Sequence, residues 1–182
     1  GVNAHYINPF GENTTGGDGG AIFWTGYDGN VTISKFINNT AAKRGGAVFL
    51  QGASDYYCNN TRFKTALFEN NTAGTNGGAI DWFKGATHGV IDNATFNNNI
   101  ANRSGGAVYW NGAYGDILNS NFTNNTAKGM TYAINAYGEN TTGGSGGAII
   151  WSGSHGEVIN CRFTDNNASR HGGAVYMQGT SE

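Results

Sequence analysis

The sequence predicts an all-β fold, a right-handed parallel β-helix (β-solenoid) of about six to seven coils. Three observations carry that expectation. The tetrapeptide GGA(I/V) recurs six times, starting at Gly19, Gly45, Gly77, Gly105, Gly146 and Gly172. A second motif, Phe-x-x-Asn or Tyr-x-x-Asn, starts at Phe10, Phe36, Phe68, Phe96, Phe122, Tyr137 and Phe163. All of these but Phe122 are followed by GGA(I/V) nine residues later. A fixed-phase repeat of short β-type runs is the signature of a solenoid, in which each unit buries its apolar face only against its neighbours. No long segment carries i, i+3, i+4 apolar spacing, and 31 glycines weigh against helix.

Each column of the repeat has a physical reason. Five residues before the aromatic stand Val31, Phe63, Ile91, Ile117, Tyr132 and Val158, large apolar residues for one inward position. Two before it stand Ser34, Ala66, Ala94, Ser120 and Cys161, small residues that let a narrow interior fill without voids. Three after it stands asparagine in every copy, at Asn13, Asn39, Asn71, Asn99, Asn125, Asn140 and Asn166. Stacked coils place equivalent side chains about 4.8 Å apart, where an amide can donate to and accept from its own kind. Asparagine also tolerates the left-handed angles of a sharp corner. The glycines of GGA serve another corner, where φ is positive or Cβ atoms would collide. In the strand after GG, the columns Ile22, Val48, Ile80, Val108, Ile149, Val175 and Trp24, Leu50, Trp82, Trp110, Trp151, Met177 are apolar. The column between them contains Asp81. This is period-two alternation with one face buried, so the middle column is expected to face outward.

The aromatic positions lie 26, 32, 28, 26, 15 and 26 residues apart. The 15-residue interval is too short for a full coil and reads as a truncated coil or a local departure. A longer period is superimposed. Residues 7–52 match 134–179 at 26 of 46 positions, and "GENTTGG" occurs only in those two places. The expectation is a single β-solenoid segment over 1–182, a window of a longer tandem-repeat protein with a 127-residue super-repeat.

Composition narrows the function classes. No run of about 20 apolar residues exists, so no membrane span is expected in this segment. Ten scattered Lys and Arg in a chain of net charge -2 form no basic stripe for nucleic acid. The calcium pattern DxDxDG is absent. No metal, cofactor or catalytic group is expected.

The unit "GGAVYWNGAYGDILNSNFTNNTAKG" at 105–129 carries the whole pattern. It resembles the repeats of adhesin-like proteins of methanogenic archaea. More loosely, it is similar to the GGA(I/V) and FxxN repeats of chlamydial polymorphic membrane proteins. The resemblance implies a secreted, extracellular protein of the cell surface with a β-helical passenger, adhering to cells or surfaces. The expected function is an adhesive stalk or fibre segment, whose partners are a host or microbial cell-surface protein or carbohydrate, and whose repetition sums weak contacts. Two alternatives stand beside it: a filament subunit self-associating end to end, and a β-helical polysaccharide lyase or hydrolase.

Eleven Asn-x-Ser/Thr sequons are present. The glycosylation candidates are Asn30, Asn38, Asn70, Asn93, Asn102 and Asn124, together with Asn13 and Asn140, which share the ladder column. Cys58 and Cys161 lie several coils apart, further than the roughly 7 Å a disulfide allows. At the 127-residue offset, Cys58 corresponds to position 185, beyond this chain. A bond from Cys161 to that position is the alternative to a small buried thiol. Asp81, Asp92, Asp116, Glu157 and Asp165 fall in different columns and coils, whereas a glycosidase needs two carboxylates at a set separation. His88 and His155 share a turn column with Asp28 and Tyr114 on coils that are not neighbours, so zinc ligation is not expected. The tryptophan column interchanges with Leu50 and Met177 and reads as core. Exposed aromatics are sought instead at Phe23, Phe49, Tyr109 and Tyr176.

Overall fold

The structure is a computed structural model and describes residues 17–52, 58–129 and 144–178. It is an all-β parallel solenoid of about five turns. Every strand pairing between coils is parallel. Four sheets run along the axis. The first holds six strands: Ile22–Trp24, Val48–Leu50, Ile80–Trp82, Val108–Trp110, Ile149–Trp151 and Val175–Met177. The second begins with Asn30–Thr32 and Arg62–Lys64, the third with Lys35–Ile37 and Leu67–Glu69, and the fourth with Thr40–Ala41 and Thr72–Ala73. Each of these three has five strands. A short pair, Cys58–Asn59 with Ala86–Thr87, lies between the first and second sheets in the chain.

The count of six to seven coils is too high. Phe122 pairs directly with Phe163, and Trp110 directly with Trp151. The 41 residues from Phe122 to Phe163 therefore make one enlarged coil, and the motif at Tyr137 adds no coil between them. Tyr137, Tyr132, Phe10, Asn13 and Asn140 lie outside the described residues.

Strands this short hold because both the interior and the backbone are saturated. Phe36, Phe68, Phe96, Phe122 and Phe163 stack face to face, with ring centroids 4.6 to 5.0 Å apart. Trp82, Trp110 and Trp151 do the same at 4.2 and 4.8 Å. Phe63, Ile91 and Ile117 fill the second sheet's inward positions, and the fourth sheet contributes Ala41, Ala73, Ala101 and Ala127.

Beside the third sheet runs an amide ladder. Asn39 Nδ2 donates to Asn71 Oδ1, Asn71 to Asn99, Asn99 to Asn125 and Asn125 to Asn166, each at 2.9 Å. The other hydrogen of each inner amide goes back to a phenylalanine carbonyl on the preceding coil, as from Asn99 to Phe68 at 3.0 Å. Each Oδ1 also accepts a backbone N–H, as Asn99 does from Asn71 at 3.1 Å. Asn71, Asn99 and Asn125 are thereby buried with their hydrogen-bonding capacity used.

The left-handed corner is not on the ladder residue. It falls one position earlier, at Asn38, Asn70, Asn98, Asn124 and Asp165, where φ is 53° to 58°. Two further corners have positive φ, one at Ile33, Thr65, Asn93, Asn119 and Asn160, the other at Asp28, Asn60, His88, Tyr114 and His155. The ladder amide is held by its bonds, while the preceding residue turns the chain.

The two glycines of GGA divide their work. Gly45 has φ +61°. Gly46 has ordinary φ, but a Cβ on it would lie 2.0 Å from the carbonyl oxygen of Gly78 on the next coil.

Candidate functional site

The outward column of the first sheet is Phe23, Phe49, Asp81, Tyr109, Ile150 and Tyr176, in continuous register. It was expected to be exposed. Phe23 is, at 54 %, but Phe49 and Asp81 are wholly buried and Ile150 is 7 % exposed. The cause is a second row of side chains. Between the fourth sheet and the glycine corner, the chain places Asp18, Arg44, Asn76, Ser104, Ser145 and His171 on successive coils. Backbone bonds such as Gly45 N–H to Asn76 O and Gly77 N–H to Ser104 O align them. This rim leans over the column. The Arg44 guanidinium sits 4.3 Å from the Phe49 ring and 4.6 Å from the Phe83 ring, and Asp18 holds it with two hydrogen bonds of 3.1 and 2.8 Å. His171 stacks on Tyr176 at 5.3 Å.

Three acceptor oxygens in this layer are buried without a hydrogen-bond partner: Asn76 Oδ1 and both carboxylate oxygens of Asp81. Burial holds the Asp81 pKa well above its ordinary value. Nearby Arg44 opposes the shift, and Asp18 adds to it. Burial also raises the Tyr109 hydroxyl, with the Asp81 charge second.

Further along, the rim opens. On the enlarged coil the two rim positions are Gly144 and Ser145, flanked by Arg103–Ser104 on one side and Arg170–His171 on the other. Backbone bonds from Arg170 N–H to Gly144 O and from Gly105 N–H to Ser145 O fix that order. A cavity of about 360 Å³ results, lined among others by Arg103, Tyr109, Ile150, Arg170, His171 and Tyr176. No carboxylate appears among the described residues that line it. It is a polar recess with two arginines in its lining and an aromatic wall. The sequence pointed to Tyr109 and Tyr176 but missed the arginines, histidine and serines opposite, because no single residue type runs through the rim column.

The remaining candidates are dispersed. Asn30, Asn38, Asn70, Asn93, Asn102 and Asn124 are all exposed. Asn124 donates to Asn98 at 2.7 Å and Asn93 to Thr65 at 3.3 Å, along outward rows. The acids do not all occupy different columns. Asp116 and Glu157 are register partners on adjacent strands of the second sheet. Counting Tyr137 as a coil had placed a false layer between them. Asp92 lies 3.9 Å from Lys64, and Asp165 is at a left-handed corner. His88 and His155 stand either side of Tyr114 in a near-parallel stack, with centroids 5.0 and 4.8 Å apart. Both cysteines are free. Cys58 is buried 3.6 Å from the Thr61 hydroxyl, while Cys161 Sγ lies 3.3 Å from the Ile159 carbonyl. Burial raises both thiol pKa values.

In comparisons with curated proteins and with solved structures, nothing matches significantly. The Chlamydia polymorphic membrane protein repeat does match, over residues 34–51, 65–81, 93–109 and 160–178. Each stretch spans one Phe-x-x-Asn and the GGA(I/V) that follows it, and the enlarged coil of Phe122 is passed over. In those four stretches this chain is similar to a chlamydial polymorphic membrane protein repeat, and the solenoid gives that repeat its geometry here: one turn per copy.

Proposed function

We propose that the chain is a segment of a non-enzymatic, extracytoplasmic adhesive rod at a cell surface. The single observation that carries this reading is the polymorphic membrane protein repeat, present four times in a solenoid of parallel coils. A rod of this kind holds repeated contact surfaces at fixed spacing, so weak contacts add. The surface best suited to contact is the first sheet's outer face, where the rim opens on a polar recess. The exposed sequon asparagines are glycan attachment points on the same rod.

The test is adhesion. Beads coated with the purified chain are scored for retention on cell monolayers and on immobilised surface polysaccharides, against uncoated beads. Retention no better than the control on every surface defeats the adhesive reading. A polysaccharide depolymerisation assay with an Asp116→Asn, Glu157→Gln control covers the enzymatic alternative, because those carboxylates are the paired acids. End-to-end assembly is the remaining alternative. Sedimentation across a range of concentrations separates it from a monomeric rod.

A further inference from the structure

The outer face of the second sheet carries charge that the described chain does not pair. Its strands are Asn30–Thr32, Arg62–Lys64, Val90–Asp92, Asp116–Leu118 and Glu157–Ile159, stacked in that order. In each, the middle residue (Val31, Phe63, Ile91, Ile117 or Val158) lies in the core or packs against it. The flanking residues therefore face outward, in two columns. One column reads Asn30, Arg62, Val90, Asp116, Glu157, and the other Thr32, Lys64, Asp92, Leu118, Ile159.

The second column settles its own charge. Lys64 Nζ lies 3.9 Å from Asp92 Oδ2, and Asn119 Nδ2 donates to Asp92 Oδ1 at 2.9 Å. The first column does not. The ion pairs among the described residues include neither Arg62 nor Asp116 nor Glu157. Asp116 and Glu157 are register partners, so two carboxylates stand on neighbouring strands, about 4.8 Å apart at the backbone. Like charges so placed in a sheet are destabilising. Arg62 is exposed and stands two coils from Asp116, about 10 Å along the axis. Val90, half-buried, lies between them. The cation and the two anions of this column are kept apart within one rod.

A second copy brings them together. A two-fold axis along the central strand, Val90–Asp92, sets two such faces opposite one another with the solenoid axes antiparallel. Each column then meets itself with the coil order reversed. Arg62 faces Asp116 twice, Val90 faces Val90, and the Asn30 amide faces Glu157. Asp92 also meets its own copy, but each is already held by Lys64 and Asn119. At the border, Asp28 faces His155. A two-fold axis along the solenoid would give parallel rods and set Arg62 against Lys64, so charge selects the antiparallel arrangement.

We infer that the chain pairs side by side with a second copy of itself, antiparallel, through the outer face of the second sheet. The contact is isologous and closes at a dimer. Five coils by the width between two corners give roughly 400 Å² per partner, about half of a standard stable interface. The dimer is therefore weak, and salt weakens it further because its charged pairs lie near solvent. Asn30 and Asn93 are glycosylation candidates on this face and its border, so a glycan on either opposes the contact.

The test is sedimentation of the purified, unglycosylated chain at up to about 1 mM, in about 0.02 M and about 0.5 M salt. A monomer–dimer equilibrium is expected at low salt, weakened about tenfold or more at high salt. Arg62→Glu is expected to lose about the same factor, as is the double variant Asp116→Lys, Glu157→Lys. An equimolar mixture of the two should regain the dimer, because each then meets the opposite charge. A second measurement needs no charge reversal. In a Cys161→Ser background, Val90→Cys should cross-link to its own copy when diamide is the oxidant, and Thr95→Cys, outward on the third sheet, should not.

The inference is overturned by a chain that stays monomeric at about 1 mM and low salt. It is equally overturned if the folded charge variants associate like the wild type, if their mixture stays monomeric, or if Thr95→Cys cross-links as fast as Val90→Cys. A mass series that runs past the dimer and ignores the charge variants would move the association to the coil ends, and also overturns it. The inference goes beyond the adhesive reading and does not rest on it. Beads that fail to adhere leave the dimer standing, and a monomeric chain leaves adhesion standing.

Discussion

Gly89 and Trp82 offer a quantitative test of how the interior is specified. In the coils whose first-sheet strand ends in tryptophan, a glycine opens the second sheet beneath the indole: Gly29 under Trp24, Gly89 under Trp82, Gly115 under Trp110 and Gly156 under Trp151. The coil that ends in Leu50 has Thr61 at that position instead, and Thr61 is buried. A large residue and a small one alternate as a pair.

At Gly89 a Cβ would sit 1.9 Å from Trp82 Cζ2, 2.5 Å from Cε2 and 2.6 Å from Cη2. The ring has nowhere to go. It stacks on Trp110 at 4.2 Å, meets Phe63 edge-on at 6.0 Å, and donates its Nε1–H to the Ala86 carbonyl at 3.1 Å. Gly89→Ala therefore costs about 3 kcal/mol, the upper part of the range for overpacking. Trp82→Leu costs about 3 kcal/mol through lost burial and a residual cavity. Separately these sum to about 6 kcal/mol. In the double variant the smaller leucine makes room for the methyl group and the methyl group fills part of the cavity, so a coupling of about 2 kcal/mol in the stabilising direction is expected. Alanine is preferred to threonine because Ala86 stands in register with Cys58, the residue beside the Thr61 hydroxyl. Urea unfolding followed by far-UV circular dichroism gives the four stabilities. Strict additivity within about 0.5 kcal/mol would refute the pairing argument.

Other outcomes follow from the same geometry. Asn99→Ala strips partners from Asn71, Asn125 and Phe68 at once and is expected to cost about 3 kcal/mol or more, against far less for Asn39→Ala at the partly exposed first described rung; equal melting shifts would contradict the ladder's role. Gly147→Ala should destabilise strongly, its Cβ falling 1.9 Å from the Gly173 carbonyl oxygen, whereas Gly173→Ala, with Asn166 O at 3.5 Å, should be nearly silent in thermal melts of this chain. Asp81 keeps its proton in the folded chain at pH values where the unfolded chain has lost it, so stability should fall as pH rises from 3.8 toward the raised value and level off above it. Asp81→Asn should abolish that slope and be the more stable protein at pH 7; a wild-type profile that climbs over the same window would reverse the assignment. Iodoacetamide should label Cys161 before Cys58, because Cys58 is fully buried and Cys161 partly exposed; mass spectrometry of timed samples reads the order.

What was legible in the sequence was whatever must repeat to work. An amide pairs along a ladder with another amide, so the ladder column is written in one letter. The second glycine of GGA touches the glycine of the next coil, so it too repeats. The rim was not legible, because Arg44, Asn76, Ser104 and His171 cover the outer column by different means: a cation over rings, an amide, a hydroxyl, a stacked imidazole. Asp81 looked like evidence of exposure for the same reason. A charge in an outward column suggests solvent until a neighbouring row is known to lie over it. The acid pair was hidden by arithmetic rather than chemistry. A motif at Tyr137 counted as a coil separates Asp116 from Glu157, and without that coil they are neighbours. The recess is a product of the same enlarged coil, where Gly144 and Ser145 interrupt the row.

The amide ladder also gives the solenoid a direction. Every side-chain amide from Asn39 to Asn125 donates toward the next coil, and every one from Asn71 to Asn166 accepts from the one before, so the dipoles add head to tail along the axis. A coil that stacks beyond Asn166, from whatever chain, must therefore offer an amide acceptor. Back-to-back contact of two such faces would set donors against donors and parallel strand edges in the wrong sense. A contact between two copies through such an edge would be heterologous, and a heterologous contact whose rotation does not close would propagate as a fibre instead of stopping at a dimer.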